Sequence, residues 1–441
     1  MTNSSLDKKS YKIKNLIPIT ARSKELLIGI AKQHIQMMDS NKELSLQDLC
    51  NLYSDTPQEQ SVRCIIKASS TEDYKEKLNT LILDNNHKEI FISTNNPTKP
   101  IKIVFVYSGM GPQWWGMGWG LYHHFDVFKK VINQCDELIQ KHAGWSLLNE
   151  MFRAEDTNNM SQTWLAQPAN FAIQTGLTEL WKHWGVVPDG VVGHSIGETT
   201  AFHVAGVHTF EQALMINVQR GKLQHTLEGE GKMLAIGINS NNIENYLKDN
   251  DQVRIAAINS CDSVTLVGDE VELNKIHEAI PYDIFKKYLN VSIPYHGHRM
   301  QKIKDALEYE LNDLSFGNEC DINLYSSVSG KRWNKNISPV QYWWNNTFEQ
   351  VNFKSVIEEI IKCGYNTFIE IGPHKALLPS IKEITKHTDE RYIILPSLNR
   401  DEAEFETIQK SLCTLFCLGV DVNLKKYNQD LYKKDSILQT K

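Results

Sequence analysis

The chain has 441 residues, 41% of them hydrophobic and 23% charged. That is a globular composition, and one too long for a single ordinary core, so two or three units are expected. A formal net charge of −6 argues against nucleic acid or an anionic membrane as partner. No apolar run approaches transmembrane length and the first ten residues lack a signal-peptide core. The eight cysteines form no regular framework, so reduced thiols in a cytoplasmic setting are expected. Cys413 and Cys417, one helical turn apart, read as core packing and not as metal ligands, because no second ligand pair accompanies them.

Residues 1–14 read as a polar, disordered lead-in. A small α+β unit is expected over 15–98: a strand at 17–20, a helix capped by Ser23, a helical piece at 44–49, a strand at 63–68 and a helix from Thr71 to near Leu83. It holds no catalytic cluster. Residues 101–107 are almost continuously apolar, as a buried parallel strand should be, and run into Ser108-Gly109-Met110-Gly111-Pro112-Gln113-Trp114. Ligands approach the backbone at such a Gly-rich turn in open α/β sheets. The pattern is not that of a dinucleotide site; a backbone N–H from Gln113 suits an oxyanion hole instead.

Helices over 125–142 and 166–184 lead to Val191-Val192-Gly193-His194-Ser195-Ile196-Gly197-Glu198. A β-branched run before Gly-x-Ser-x-Gly and a helical segment after it make the context of a nucleophile elbow, where the serine sits on a strained strand-to-helix turn. Gly193 and Gly197 then leave room for neighbouring backbone, and the N–H of Ile196 stands at a helix N-terminus, where negative charge is stabilised. The plain alternative is a glycine-rich turn with a solvated serine. Arg220 closes the next helix, ordinarily a place for a solvated charge; facing a pocket, its planar fork would suit a substrate carboxylate.

Residues 223–293 follow a β-α-β-β-α-β order, with strands at 233–238, 253–258, 263–267 and 285–293. That is the ferredoxin-like order, inserted between two parts of the larger domain. The insertion delivers Pro294-Tyr295-His296-Gly297-His298, in which either histidine is a candidate general base for Ser195. A helix begins at Tyr342-Trp343-Trp344-Asn345-Asn346, and 367–371 is a last buried strand, ending at Gly372-Pro373-His374. Residues 396–441 read as an extended tail with a helix to Gly419.

With these pieces in order, the chain resembles the malonyl/acyl-CoA:acyl-carrier-protein transacylase family found in type I polyketide and fatty acid synthases. The matching residues are 108–114, Ala166-Gln167-Pro168-Ala169, 193–198, Arg220, Pro294-Tyr295-His296, Tyr342-Trp343 with Asn346, and Gly372-Pro373-His374. The resemblance covers about 99–395. It implies an α/β-hydrolase-like, parallel-sheet large subdomain (99–222 and 294–395) with the ferredoxin-like small subdomain (223–293) inserted. Residues 15–98 resemble a ketosynthase–acyltransferase linker domain, and 396–441 the segment following the acyltransferase.

The resemblance also implies roles. Ser195 would be the nucleophile, His296 its base, and Gln113 and Ile196 the oxyanion-hole donors. Arg220 would hold the carboxylate of a malonyl-type acyl group and Gln167 would line the pocket. The histidine would be oriented by the backbone carbonyl of Asn346, no aspartate being placed for that task. No metal and no bound cofactor are implied. The substrates would be a coenzyme A thioester, malonyl-CoA first, and the phosphopantetheine thiol of an acyl carrier protein, with a ketosynthase as a further partner through the linker domain. Met110 and Gly297 depart from common family residues without removing a catalytic atom, and His194 and His374 are expected to pack. Tyr295 stands where malonyl-using members carry an aromatic ring, which would crowd an α-methyl branch; Ile196 agrees, whereas Ile293 and Pro294 match neither usual signature. Two rival classes share parts of this reading. A serine acyl hydrolase or thioesterase would use Ser195 and His296 but leave Arg220 without a partner. A non-catalytic docking module would not need the Ser/His/Arg set at all.

Overall fold

The computed structural model describes residues 13–54, 61–93, 99–248, 250–317, 320–386, 388 and 390–438, with side chains to 432. Of the expected lead-in, residues 1–12 lie outside the described residues, while Lys14 is in place and paired with Glu89.

Three sheets organise the chain. The first contains β1 (Asn15–Ala21), β2 (Val62–Ala68) and β3 (Ile90–Ser93), antiparallel in that order. Alternation along β1 and β2 sends Ile17, Ile19, Cys64 and Ile66 into a core of their own with helices Lys24–Ser40, Leu46–Tyr53 and Thr71–Ile82. Leu16 and Ile65, on the other face, join the main core. Helix starts follow the sequence: Ser23 Oγ accepts from the Leu26 N–H, and Ser45 forms a capping box with Asp48.

The central sheet is built on β4 (Ile103–Tyr107) and β5 (Gly190–Gly193), parallel neighbours buried at every position. β12 (Thr367–Ile371) continues it parallel to β4. Three further strands were not anticipated from the sequence. β10 (Asn323–Ser326) pairs parallel to β5, and β11 (Lys331–Arg332) pairs antiparallel to β10 at the edge. β13 (Ile393–Pro396) pairs parallel to β12, so the sheet does not end at 371 and the tail begins only after this strand. Each of the three is short, and Pro396 is tolerated because β13 is an edge strand.

The inserted unit contains β6 (Lys232–Ile236), β7 (Val253–Ser260), β8 (Ser263–Gly268) and β9 (Lys286–Tyr288), in spatial order β7-β8-β6-β9 with every pairing antiparallel. With helices Ser240–Leu247 and Glu270–Ala279 it is the ferredoxin-like arrangement expected. The strand expected over 285–293 is limited to β9. Its partner β6 starts at Lys232, and antiparallel to it Tyr288 already faces Leu234, so residues beyond 289 have no ladder to join. They turn toward a cleft instead.

The tail packs as two helices. Glu404–Cys417 is buried along most of its length, Cys413 and Cys417 among the core residues, and Lys67 of β2 pairs with Glu406 at 2.8 Å. From helix Leu424–Leu438, the Asn428 side chain accepts from the Leu16 N–H at 3.0 Å and donates to the Leu16 C=O at 2.8 Å. One amide thus occupies the edge of β1 as a further strand would. Among the described residues no helix is long and apolar enough to cross a membrane.

Asn428→Ala leaves both buried Leu16 groups unpaired and should destabilise the chain by about 1–3 kcal/mol per unsatisfied group, read as a lower midpoint in urea unfolding of the whole chain.

Candidate active site

Ser195 stands where β5 ends, in a single 3-10 turn (Ser195–Gly197) that feeds helix Glu198–Val204. Its φ is +51°, a strained value for a residue with a Cβ. The turn closes so tightly that a Cβ on Gly193 would lie 2.1 Å from the Glu198 nitrogen, and one on Gly197 2.4 Å from the Tyr107 carbonyl. The elbow geometry read from the motif is therefore present, and both glycines are required by contact with backbone.

His296 also has a positive φ, +61°, in a turn where the Gly297 N–H donates to the Pro294 carbonyl. Its Nε2 lies 2.8 Å from Ser195 Oγ, across 101 residues of sequence. Nδ1 is 2.8 Å from the backbone carbonyl of Glu349. A carbonyl only accepts, so Nδ1 carries the proton and the Nε2 lone pair faces the serine hydroxyl. His298 is exposed and lines a separate pocket with Gln252 and Arg299; geometry selects His296.

The orienting carbonyl is a correction. It belongs to Glu349, not Asn346. Helix Pro339–Phe348 contains Asn346 in its last turn, whereas Glu349 is the first residue beyond it, extended, with its carbonyl released from the helical direction. Asn346 works through its side chain. Nδ2 donates to the Ser195 carbonyl at 3.1 Å and to Glu198 Oε2 at 2.7 Å, and Oδ1 accepts from Arg220.

Arg220 does face the site. It is 2% exposed, with NH2 at 3.1 Å from Ser195 Oγ and NH1 on Asn346 Oδ1. Its Nε has no hydrogen-bond partner, and it forms no ion pair among the described residues. Burial lowers its pKa to about 10, which leaves it cationic at neutral pH. Burial, and next the Arg220 charge, push His296 down to about 3; the Glu349 carbonyl opposes this. His296 is therefore neutral under ordinary conditions.

Glu198 has a role that its motif alone does not indicate. Fully buried, it accepts from the Ser327 N–H and hydroxyl, from Tyr342 OH at 2.8 Å and from Asn346. Burial raises its pKa to about 7 against those hydrogen bonds. Tyr342 and Asn346, four apart on one helix face, were the available signal.

A cleft of about 750 Å³ opens between the two subdomains, walled by residues including Gln113, Trp114, Thr163, Lys232, Val291 and Tyr295. Tyr295 OH is 2.5 Å from Thr163 Oγ1. Gln113 Oε1 accepts from the Gly111 N–H and from Asn170, closing its turn on itself. Gln167 does not line this cleft; it is buried and donates to Gln224 at 2.6 Å, one helical turn beyond Arg220, with Oε1 unpartnered. His194 and His374 each hydrogen-bond within the structure, to Asn259 Oδ1 and the Arg400 N–H respectively.

Residues 104–422 match the family model described as acyl transferase domain. Among curated proteins the chain is 32% identical over 351 residues to "Probable polyketide synthase 1" of Dictyostelium discoideum, covering 75% of this chain and 11% of that protein. It is 29% identical over 324 residues to "Erythronolide synthase EryA2" of Saccharopolyspora erythraea, covering 73% and 9%. The chain thus spans about a tenth of the length of these relatives. Among solved structures, the acyltransferase domain from the second module of the salinomycin polyketide synthase superposes with TM-score 0.77 at 27% identity, covering 95% of this chain and 96% of that one. The malonyl CoA-acyl carrier protein transacylase from Clostridium perfringens gives TM-score 0.64 at 26% identity, covering 71% and 97%. The chain belongs to the acyl transferase domain family, beside the acyltransferases of polyketide synthases.

Proposed function

We propose that this acyltransferase loads a malonyl group from coenzyme A, through an acyl-Ser195 intermediate, onto the phosphopantetheine thiol of an acyl carrier protein in polyketide or fatty acid biosynthesis. The observation that carries the reading is Arg220: a buried cation without a carboxylate partner, beside a serine that is hydrogen-bonded to a neutral histidine. A neutral acyl chain would leave that charge uncompensated. A dicarboxylic acyl group supplies the missing anion, in the bidentate geometry guanidinium favours.

In the first step Ser195 Oγ attacks the thioester carbonyl and its proton passes to His296 Nε2. The C–S bond breaks, and the leaving thiolate takes that proton. In the second step the pantetheine thiol gives its proton to His296 and attacks the acyl-serine, and Ser195 recovers the proton as it leaves. The N–H groups of Ile196 and Gln113 would hold the oxyanion, each contributing about 3 kcal/mol. Kinetics should be ping-pong, and the burial of Ser195 and His296 limits water at the intermediate. No resident cofactor enters these steps. A carrier protein, and a ketosynthase through residues 15–98, are the macromolecular partners of this reading, and the free thiols suit a cytoplasmic setting.

Incubation with labelled malonyl-CoA and intact mass measurement should show one malonyl adduct in the natural chain and none in Ser195→Ala. Arg220→Ala should lose malonyl loading and gain acetyl loading; an unchanged malonyl rate would sink the dicarboxylate assignment. With both extenders at equal concentration, the Tyr295 ring should favour malonyl-CoA over methylmalonyl-CoA by roughly 10- to 200-fold, the worth of one excluded methyl. Equal loading refutes that role for Tyr295. Because buried His296 has its pKa depressed to about 3, kcat/KM for malonyl-CoA should stay level as pH falls from 8 to about 5.5. A decline centred near the ordinary histidine value, 6.5, that persists in Glu198→Gln, which removes the other group titrating near 7, would show the base to be solvated.

A further inference from the structure

We infer that β7, the edge strand of the small subdomain, is a template that sets the spacing of Ser195 and His296, with Asn259 and Arg254 as positioning residues. The inference rests on the Ser195–His296 pairing proposed above.

β7 has β8 on one side and no strand of its own sheet on the other. That free edge is taken by the segment after helix Pro339–Phe348. The Val351 N–H donates to the Ala256 carbonyl at 2.9 Å and the Ile258 N–H to the Val351 carbonyl at 3.0 Å, a parallel bridge centred on Ala257. The β7–β8 register shifts between Ile255 and Ala257 and again between Ile258 and Ser260, the kind of irregularity that re-aims an edge strand. Val351 follows Glu349 closely, and the Glu349 carbonyl is the group that orients His296.

Arg254 grips the same segment from its side chain. NH2 lies 3.3 Å from Glu349 Oε2, and the guanidinium sits 4.7 Å from the centre of the Phe348 ring. At the far end of the strand, Asn259 Oδ1 accepts from His194 Nε2 at 2.8 Å. His194 immediately precedes Ser195, and its own N–H is fixed on the Tyr107 carbonyl at 2.9 Å. The support of the nucleophile and the support of the base thus meet on residues 254–259 of one strand. Two side chains 101 residues apart in sequence, each on a strained turn, acquire a common ruler. Misplacement of reacting groups by about 1 Å can cost about 100-fold in rate, so loosening either grip should be felt at the serine.

The test is the rate at which a fluorophosphonate labels Ser195 in the whole chain, followed by intact mass. Serine oxygen displaces fluoride at phosphorus while His296 takes the proton. Asn259→Leu removes the acceptor for His194, Asn259→Asp retains it, and Arg254→Met keeps an apolar stem on Phe348 while releasing Glu349. Asn259→Leu and Arg254→Met should label about 10- to 100-fold more slowly than the natural chain, and Asn259→Asp should recover most of the rate. In malonyl transfer the slow variants should lose kcat with KM for malonyl-CoA unchanged. Labelling of Asn259→Leu and Arg254→Met at the natural rate overturns the inference, as does an Asp variant as slow as the Leu variant. Should Asn259→Leu lack a cooperative melt, Arg254→Met against the natural chain decides. A natural chain that labels but does not transfer malonyl refutes only the malonyl reading; one that does not label at Ser195 overturns the Ser195–His296 pairing and this inference with it.

Discussion

A guanidinium buried without a carboxylate against it is the constraint around which the site is built. Taking a charge out of water is expensive unless it is paired and hydrogen-bonded. Arg220 is given three neutral acceptors, Asn346 Oδ1, the Asn346 backbone carbonyl and Ser195 Oγ, and its Nε is left unmet. Glu198 acts on Arg220 without forming an ion pair with it, the Asn346 side chain hydrogen-bonding both, and burial already draws Glu198 toward its neutral form. The pocket therefore holds an unspent positive potential at the serine. The same potential helps keep His296 unprotonated, so one buried charge acts on both the serine hydroxyl and the histidine beside it.

This arrangement requires exact support, which the fold distributes over distant segments. β5 and β4 present the elbow, and helix Phe210–His225 presents Arg220. The end of helix Pro339–Phe348 supplies both Asn346 and the Glu349 carbonyl. Asn346 touches the serine backbone, the arginine and Glu198 at once, so its side chain is the joint between three elements. At the periphery, the tail helices bind the first sheet to the large subdomain through Asn428, Lys67–Glu406 and a shared core. Residues 15–54 and 61–93 and the two tail helices pack as one structure with the acyltransferase body.

Whatever rests on local chemistry is legible in the residues themselves. Gly-x-Ser-x-Gly between a β-branched run and a helix predicts the elbow because backbone contact forbids any side chain at either glycine. The β-α-β-β-α-β alternation predicts the small subdomain, and Ser23 and Ser45 cap the helices that their positions announce. Strands β3, β10, β11 and β13 escaped because two to four residues carry too little periodicity to be told from loop, and only the neighbouring strand makes them strands. Only the folded chain shows His296 and not His298 against Ser195, Arg220 turned inward, the carbonyl on His296 belonging to Glu349 and not Asn346, and Glu198 at the centre of four donors. One cause is common to all four. A motif encodes the conformation of its own few residues, whereas which atom meets which across a hundred residues depends on where helices end and which edge of a sheet is free.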